Sequence, residues 1–423
     1  LSAAARRTGD SPISDLMARA LAAPELISLA AGFVDHSTLP AGPTAHAVER
    51  LLTDDVEGRR ALQYGTTRGD LKLRHRLIER MVAAGELAPE RAGDAQHRTV
   101  VTTGSQQLLY LLCEALVDPG DIVLVESPTY FVFLGVLQAF GARTIGIATD
   151  EGGLRIDALE ATLARLEAAG ELGRVKFIYS IGEHSNPTGL SLAPERRPAL
   201  VAAARRWSRD QAIYVVEDAA YRGLTFEGDE PASVWSHDPS GELVVHARTF
   251  SKTFSPGLKT GWGILPESLL GPVLNAKGNH DFGSAHFNGQ LLEALLADGS
   301  VDRQVATLQA LYRRKRDAML GALDRELGGL RGEGVSWTHP KGGLYVWLTL
   351  PEGLDTGRDG AFFARCLEHG VLYVPGALAY PGEPGPPPGN GARLSYGVAG
   401  VDGIAEGIRR LAAAVTECLD PVG

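Results

Sequence analysis

Residues 244–263 read VVHARTFSKTFSPGLKTGWG. Val244 and Val245 open an apolar β-type run, and Thr249 and Ser251 set two hydroxyls just ahead of Lys252. Pro256 and Gly257 then turn the chain, Lys259 follows, and the run at 261–263 reads as the next strand. A primary amine just past a strand end, among small hydroxyl donors, suits Schiff-base chemistry on a phosphorylated aldehyde. The amine bonds to the carbonyl carbon, while the hydroxyls and Lys259 hold the phosphate. The same stretch taken alone also reads as a solvated lysine after a strand, so the rest of the chain must supply the other parts of a site.

Working outward, short apolar runs alternate with helices from Arg98 onward. Strands are expected at 99–102, 122–125, 175–180, 213–216 and 244–247, with 263–265 closing the series. This alternation predicts an α/β fold, a mostly parallel sheet covered by helices on both faces. Ligands collect at the carboxyl ends of such strands. The polar clusters 104–107, Tyr130, Asn186, 218–221 and 249–252 all fall there. That regularity is the strongest signal in the chain.

The flanks differ. A weak helical pattern over 11–21 leads to a short strand at 27–33, which reads as an arm. Two glycines after Tyr64 break the pattern before an amphipathic helix from Asp70 to about Ala84. After Leu291 a long helical pattern runs to Glu326, and its basic run at 313–316 reads as a solvated face. Strands follow at 335–338, 344–350, 371–374 and 392–396, with helices at 361–368 and 401–418. These runs form a smaller α+β unit. The expected division is an arm at 1–45, a large cofactor-binding domain at 46–300 and a small domain at 301–423. The segment 380–390 has five prolines and is expected to be irregular.

Composition excludes several classes. The 423 residues carry a net charge of −10, the wrong sign for a nucleic-acid or anionic-membrane surface. Three scattered cysteines predict neither a disulfide framework nor a thiolate zinc site, and no metal is expected. No secretory signal or membrane span is read, so the cytoplasm is the expected location.

Each candidate has two readings. Gly104, Ser105 and Gln106 lie between strand and helix, where N–H groups bind phosphate, or where Ser105 is an ordinary N-cap. Asp218 ends a buried strand and can face a pyridinium nitrogen, or cap a helix. Tyr221 and Asn186 can donate to the ring oxygen; the segment 186–189 also reads as a plain turn. Tyr130 stacks on a ring or fills a core. Arg393 grips a carboxylate with its fork, or lies on an exposed edge strand.

These motifs, in this order and spacing, resemble the fold-type I, class I/II aminotransferases that use pyridoxal 5′-phosphate. The nearest subgroup is the 2-aminoadipate and aromatic aminotransferases related to the C-terminal half of MocR-type regulators. The resemblance runs from about Ser28 to the end and also includes 62–65, 127–130, 256–261 and the run KGGLYVW at 341–347. It implies that Lys252 forms the Schiff base and shuttles the proton. Asp218 then pairs with the ring nitrogen, Asn186 and Tyr221 with the ring oxygen, and Tyr130 lies on the ring. Ser105, Gln106, Thr249, Ser251 and Lys259 surround the phosphate. Tyr64 reaches the neighbouring subunit's phosphate, implying a homodimer, and Arg393 holds the substrate α-carboxylate near Gly32.

Three departures stand out. Lys259 replaces the usual arginine, a point charge instead of a fork. The segment 181–185 places Glu183 and His184 close to the expected site, and 279–288 carries His280, His286 and Asn288. A histidine there either adds an acid or base, or packs a loop. The expected function is transfer of the amino group of an α-amino acid to a 2-oxo acid. The alternative is a same-fold lyase, decarboxylative or oxidative deaminase, or cyclase that diverts the quinonoid. A ligand-sensing role is disfavoured, because residues 1–25 are too few for a winged helix.

Overall fold

In a computed structural model of the chain, residues 1–9 and 25–419 are described. The helical pattern expected over 11–21 lies outside them. The strands are β1 Ile27–Ser28, β2 Thr99–Thr102, β3 Ile122–Ser127, β4 Arg143–Asp150, β5 Gly153–Leu154, β6 Val175–Ser180 and β7 Tyr214–Asp218. They continue with β8 Val244–Thr249, β9 Gly261–Ile264, β10 Ser336–Trp337, β11 Tyr345–Thr349, β12 Val371–Leu372, β13 Val374–Pro375 and β14 Gly391–Ser395.

An eight-stranded sheet has the order β2-β9-β8-β7-β6-β3-β4-β5. Its centre, β8 through β4, is parallel, while β9 runs antiparallel to both β8 and β2. The apolar runs are continuous because both faces are covered. In β3, Val123 and Val125 face the core that includes helix Gly104–Leu116, while Ile122 and Leu124 face the one that includes helices Ile156–Ala168 and Arg196–Trp207. Each fully buried aliphatic side chain contributes about 1.5–3 kcal/mol.

Strands β4 and β5 depart from the expected series. β4 was not among the predicted runs, because Arg143, Thr144 and Asp150 dilute its apolar character. It is nonetheless paired with β3 over Arg143–Ala148. The single helical run expected from Leu291 to Glu326 is instead two helices, His286–Ala297 and Ser300–Leu327, broken at Gly299, whose φ of +74° favours glycine.

A four-stranded antiparallel sheet, β10-β11-β14-β13, follows, and β1 pairs in parallel with β12. The basic run at 313–316 is not a solvated face. Arg313 and Arg314 are exposed, but Lys315 and Arg316 are buried. Lys315 pairs with Asp35 and donates to the Gly397 carbonyl at 3.1 Å; Arg316 donates to Glu227 at 2.7 Å. Among the described residues no helix is long and apolar enough to cross a membrane.

Candidate active site

The parallel strands β6, β7 and β8 lie side by side, and Asn186, Asp218 and Lys252 fall at or past their carboxyl ends. Lys252 lies past β8 and is half-buried. Its Nζ donates to the Gly32 carbonyl at 2.7 Å, so it is not a free surface lysine. The turn before it is tied by its own hydroxyls: Ser251 N–H donates to Thr249 Oγ1 at 3.2 Å, and that hydroxyl donates to Ser251 Oγ at 2.9 Å.

Asp218 is the last residue of β7 and is buried. Its Oδ2 accepts from the Tyr179 hydroxyl at 2.8 Å, while Oδ1 has no partner. Burial raises its pKa to about 6, opposed by the Tyr179 and Ala220 donors and aided by Glu217 and Glu183. A buried carboxylate oxygen without a donor fits an N–H cation placed against it.

Helix Gly104–Leu116 starts where β2 ends. Its N-cap is Thr103, which makes no side-chain cap bond, so Ser105 is inside the helix and is not the cap. The first-turn N–H groups therefore have no capping oxygen, which suits a phosphate. Gly104 takes φ +72°, and a Cβ on Gly261 would lie 2.5 Å from Ser105 N, so both glycines are needed for this close approach. Lys259 is exposed, in the left-handed region at φ +48°, and Asn288 Nδ2 donates to the adjoining Leu258 carbonyl at 2.8 Å.

Arg393 is on β14, an interior strand of the four-stranded sheet, and is 2% exposed, which overturns the exposed-edge alternative. Nη1 donates to Asn186 Oδ1 at 3.0 Å and Nη2 to the Ala30 carbonyl at 2.6 Å. The guanidinium sits 4.5 Å from the Tyr345 ring centroid and 5.3 Å from that of Phe131. No carboxylate of the described residues pairs with it, and Nε has no partner. A buried cation with neutral neighbours alone suits an anionic ligand. Asn186, buried and bonded to Arg393, is more than a turn residue.

Some expected members lie apart. Tyr64 is 81% exposed and packs edge-on against Phe282, with centroids 5.6 Å apart. His184 is buried, with Nε2 on Thr225 Oγ1 at 2.9 Å and Nδ1 on Ser191 Oγ at 3.3 Å, and it packs against Gly342 and Gly343. Burial and the Arg197 charge push its pKa down to about 3. Of its two readings, loop packing is the one realised. Glu183 is likewise bound to Arg197 and Arg222, each at 2.8 Å. His280 shares a hydrogen bond with Gln107, and His286 packs on Gly65.

Sequence reasoning missed Tyr179, Tyr345 and Glu126. Glu126, at the end of β3, accepts from Ser180 Oγ at 2.6 Å and Ile181 N at 3.0 Å, fastening the segment that leads to Asn186. The available signal was a polar-tipped residue within an otherwise aliphatic strand.

Residues 24–397 match the family model described as aminotransferase class I and II. The chain belongs to that family. The aminotransferase is 34% identical over 398 residues to the 2-aminoadipate transaminase of Thermus thermophilus, covering 93% of this chain and 90% of that protein. It is 31% identical over 393 residues to aromatic-amino-acid aminotransferase 1 of Thermococcus litoralis, covering 93% and 88%. The solved structure of Pyrococcus horikoshii kynurenine aminotransferase in complex with PMP matches with a TM-score of 0.89 at 30% identity. That match covers 99% of this chain and 98% of the other. The enzyme is a pyridoxal 5′-phosphate aminotransferase of fold type I. Its residues fit that cofactor on three independent counts: the partnerless Asp218 Oδ1, the uncapped helix start at Gly104 and the inward amine of Lys252.

Proposed function

We propose that this aminotransferase moves the amino group of an α-amino acid to a 2-oxo acid, with Lys252 as the covalent and proton-carrying amine and Arg393 as the carboxylate grip. One observation carries the reading. Lys252 Nζ and Arg393 Nη2 bond the carbonyls of Gly32 and Ala30, so amine and guanidinium converge on one short segment.

Pyridoxal 5′-phosphate, when bound, supplies the aldehyde carbon and a ring that accepts the electron pair left at the substrate Cα. Ser105, Gln106, Thr249, Ser251 and Lys259 would hold the phosphate, with Gly104 shaping the helix start. Asp218, protonated below about pH 6 when alone, ionises against a ring N–H cation, because an opposite charge lowers a carboxyl pKa. Tyr130 would lie over the ring, and Asn186 and Tyr221 would donate to its oxygen. Arg393 and Asn186 hold the substrate carboxylate beside Gly32. Lys252, as a free amine, would take and hand back the Cα proton, oriented by the Gly32 carbonyl that accepts from its Nζ.

A homodimer is part of the reading, with Tyr64 serving the neighbouring copy. Tyr64 and Phe282, in edge-on contact, are 81% and 63% exposed, an apolar pair that a second copy would cover. The division into 1–45, 46–300 and 301–423 is kept, supported by β1 pairing with β12. A cytoplasmic setting is supported by the free thiols Cys113, Cys366 and Cys418.

The test is to mix purified enzyme with a panel of amino acids and follow the cofactor absorbance and the 2-oxo acid formed. Conversion to the amine form of the cofactor, one 2-oxo acid per site, supports transamination. Ammonia or carbon dioxide released without an acceptor overturns it. Borohydride must fix the cofactor's mass on Lys252, and sedimentation must give a dimer.

A further inference from the structure

Tyr345, in β11, is 1% exposed. Its hydroxyl accepts from the Tyr221 hydroxyl at 3.2 Å, with the rings edge-on at 5.8 Å. Arg393 covers its face at 4.5 Å. A Cβ on Gly32 would lie 2.8 Å from the Tyr345 oxygen, so the glycine leaves that hydroxyl its place beside the carbonyl Lys252 bonds. The charged and titratable groups facing it are Tyr221 after β7, Arg393 of β14 and Lys252 after β8, with Tyr130, Tyr312 and Tyr396 further out. Burial raises the Tyr345 pKa, but Arg393, Lys252 and the bond from Tyr221 outweigh it and hold the phenol below its ordinary value. Tyr221 goes the other way, raised by burial and by Tyr345 itself. Of the two phenols, Tyr345 carries the guanidinium on its ring face, and that cation makes its hydroxyl the better donor.

We propose that Tyr345 is a positioning residue of the transamination. When Tyr221 turns its proton to the cofactor's ring oxygen, Tyr345 donates to the Tyr221 oxygen and strengthens that contact. Chained hydroxyls polarise one another, so a donor to Tyr221 makes Tyr221 a better donor. A better donor draws charge from the ring oxygen, which then holds the proton on the Lys252 nitrogen less tightly. That proton leaves at lower pH. The inference rests on the role given above to Tyr221.

The experiment is a pH titration of the near-visible absorbance of the loaded enzyme in wild type, Y345F, Y221F and the double variant. Phenylalanine keeps the ring under Arg393 and removes the hydroxyl alone. Y345F is expected to raise the midpoint by about half a unit, Y221F by more, and the double variant by no more than Y221F. kcat should fall several-fold in Y345F with KM little changed. A Y345F midpoint equal to wild type, or a shift that adds in full to that of Y221F, overturns the proposal. If Y221F itself leaves the midpoint unmoved, the role of Tyr221 fails instead. Fluorotyrosine at position 345 gives a check that leaves packing intact: a more acidic phenol must lower the midpoint, and a rise or no change refutes the relay.

Discussion

Arg393 and Asn186 are 207 residues apart in sequence, yet Arg393 Nη1 donates to Asn186 Oδ1 at 3.0 Å. The bond joins the four-stranded sheet to the loop that follows β6 of the eight-stranded one. It holds the guanidinium in place with neutral acceptors, leaving its charge for a ligand.

Arg393→Lys keeps that charge and loses the planar fork. kcat/KM for the amino acid should fall roughly a hundredfold, about 3 kcal/mol, mainly through KM. Steady-state kinetics test this, with an unchanged cofactor spectrum showing that the site is otherwise intact. A change of less than threefold would remove Arg393 from the carboxylate site.

Asp218 makes the cofactor-free protein pH-sensitive in a definite direction. Its folded pKa of about 6 exceeds the ordinary 3.8, so the folded state binds its proton more tightly. That contribution is complete below about pH 4 and is lost as the pH rises through 6. Asp218→Asn should therefore make the cofactor-free protein about 1–3 kcal/mol more stable at pH 7, a gain that shrinks on acidification. Urea melts of both proteins at several pH values check this. Loaded with cofactor, the same variant should lose activity, because the ring cation loses its counter-charge.

His184, with its pKa near 3, stays neutral over any working range. His184→Asn, which tolerates the left-handed backbone at φ +48°, should leave the pH–rate profile unshifted. Loss of one limb of the profile would restore His184 as an acid or base and reopen the alternative of a diverted reaction.

Lys315→Met leaves Asp35 buried without its cation. Breaking such a pair by removing one partner costs about 3–5 kcal/mol, read as a lower urea midpoint. A neutral outcome would mean that water reaches Asp35 in the variant.

What the sequence alone determined is the order of the parts. Parallel strands covered on both faces must be apolar throughout, so Ile122–Val125 and its counterparts were readable, and polar residues at their ends marked Asp218, Asn186 and Lys252 as a layer. What only the tertiary structure decided are properties that depend on partners far along the chain. Lys315 and Asp35 lie 280 positions apart, so no local period distinguishes this buried lysine from the exposed Arg314 beside it. β4, with its polar residues, becomes a strand through its long pairing with β3. Arg393 is interior because β13 and β11 flank its strand, and the Tyr345 hydroxyl meets Tyr221 because Gly32 leaves room. Local patterning reports which face of an element is apolar. Whether a polar group on that face finds its donor or counter-charge depends on which distant strands the fold brings beside it.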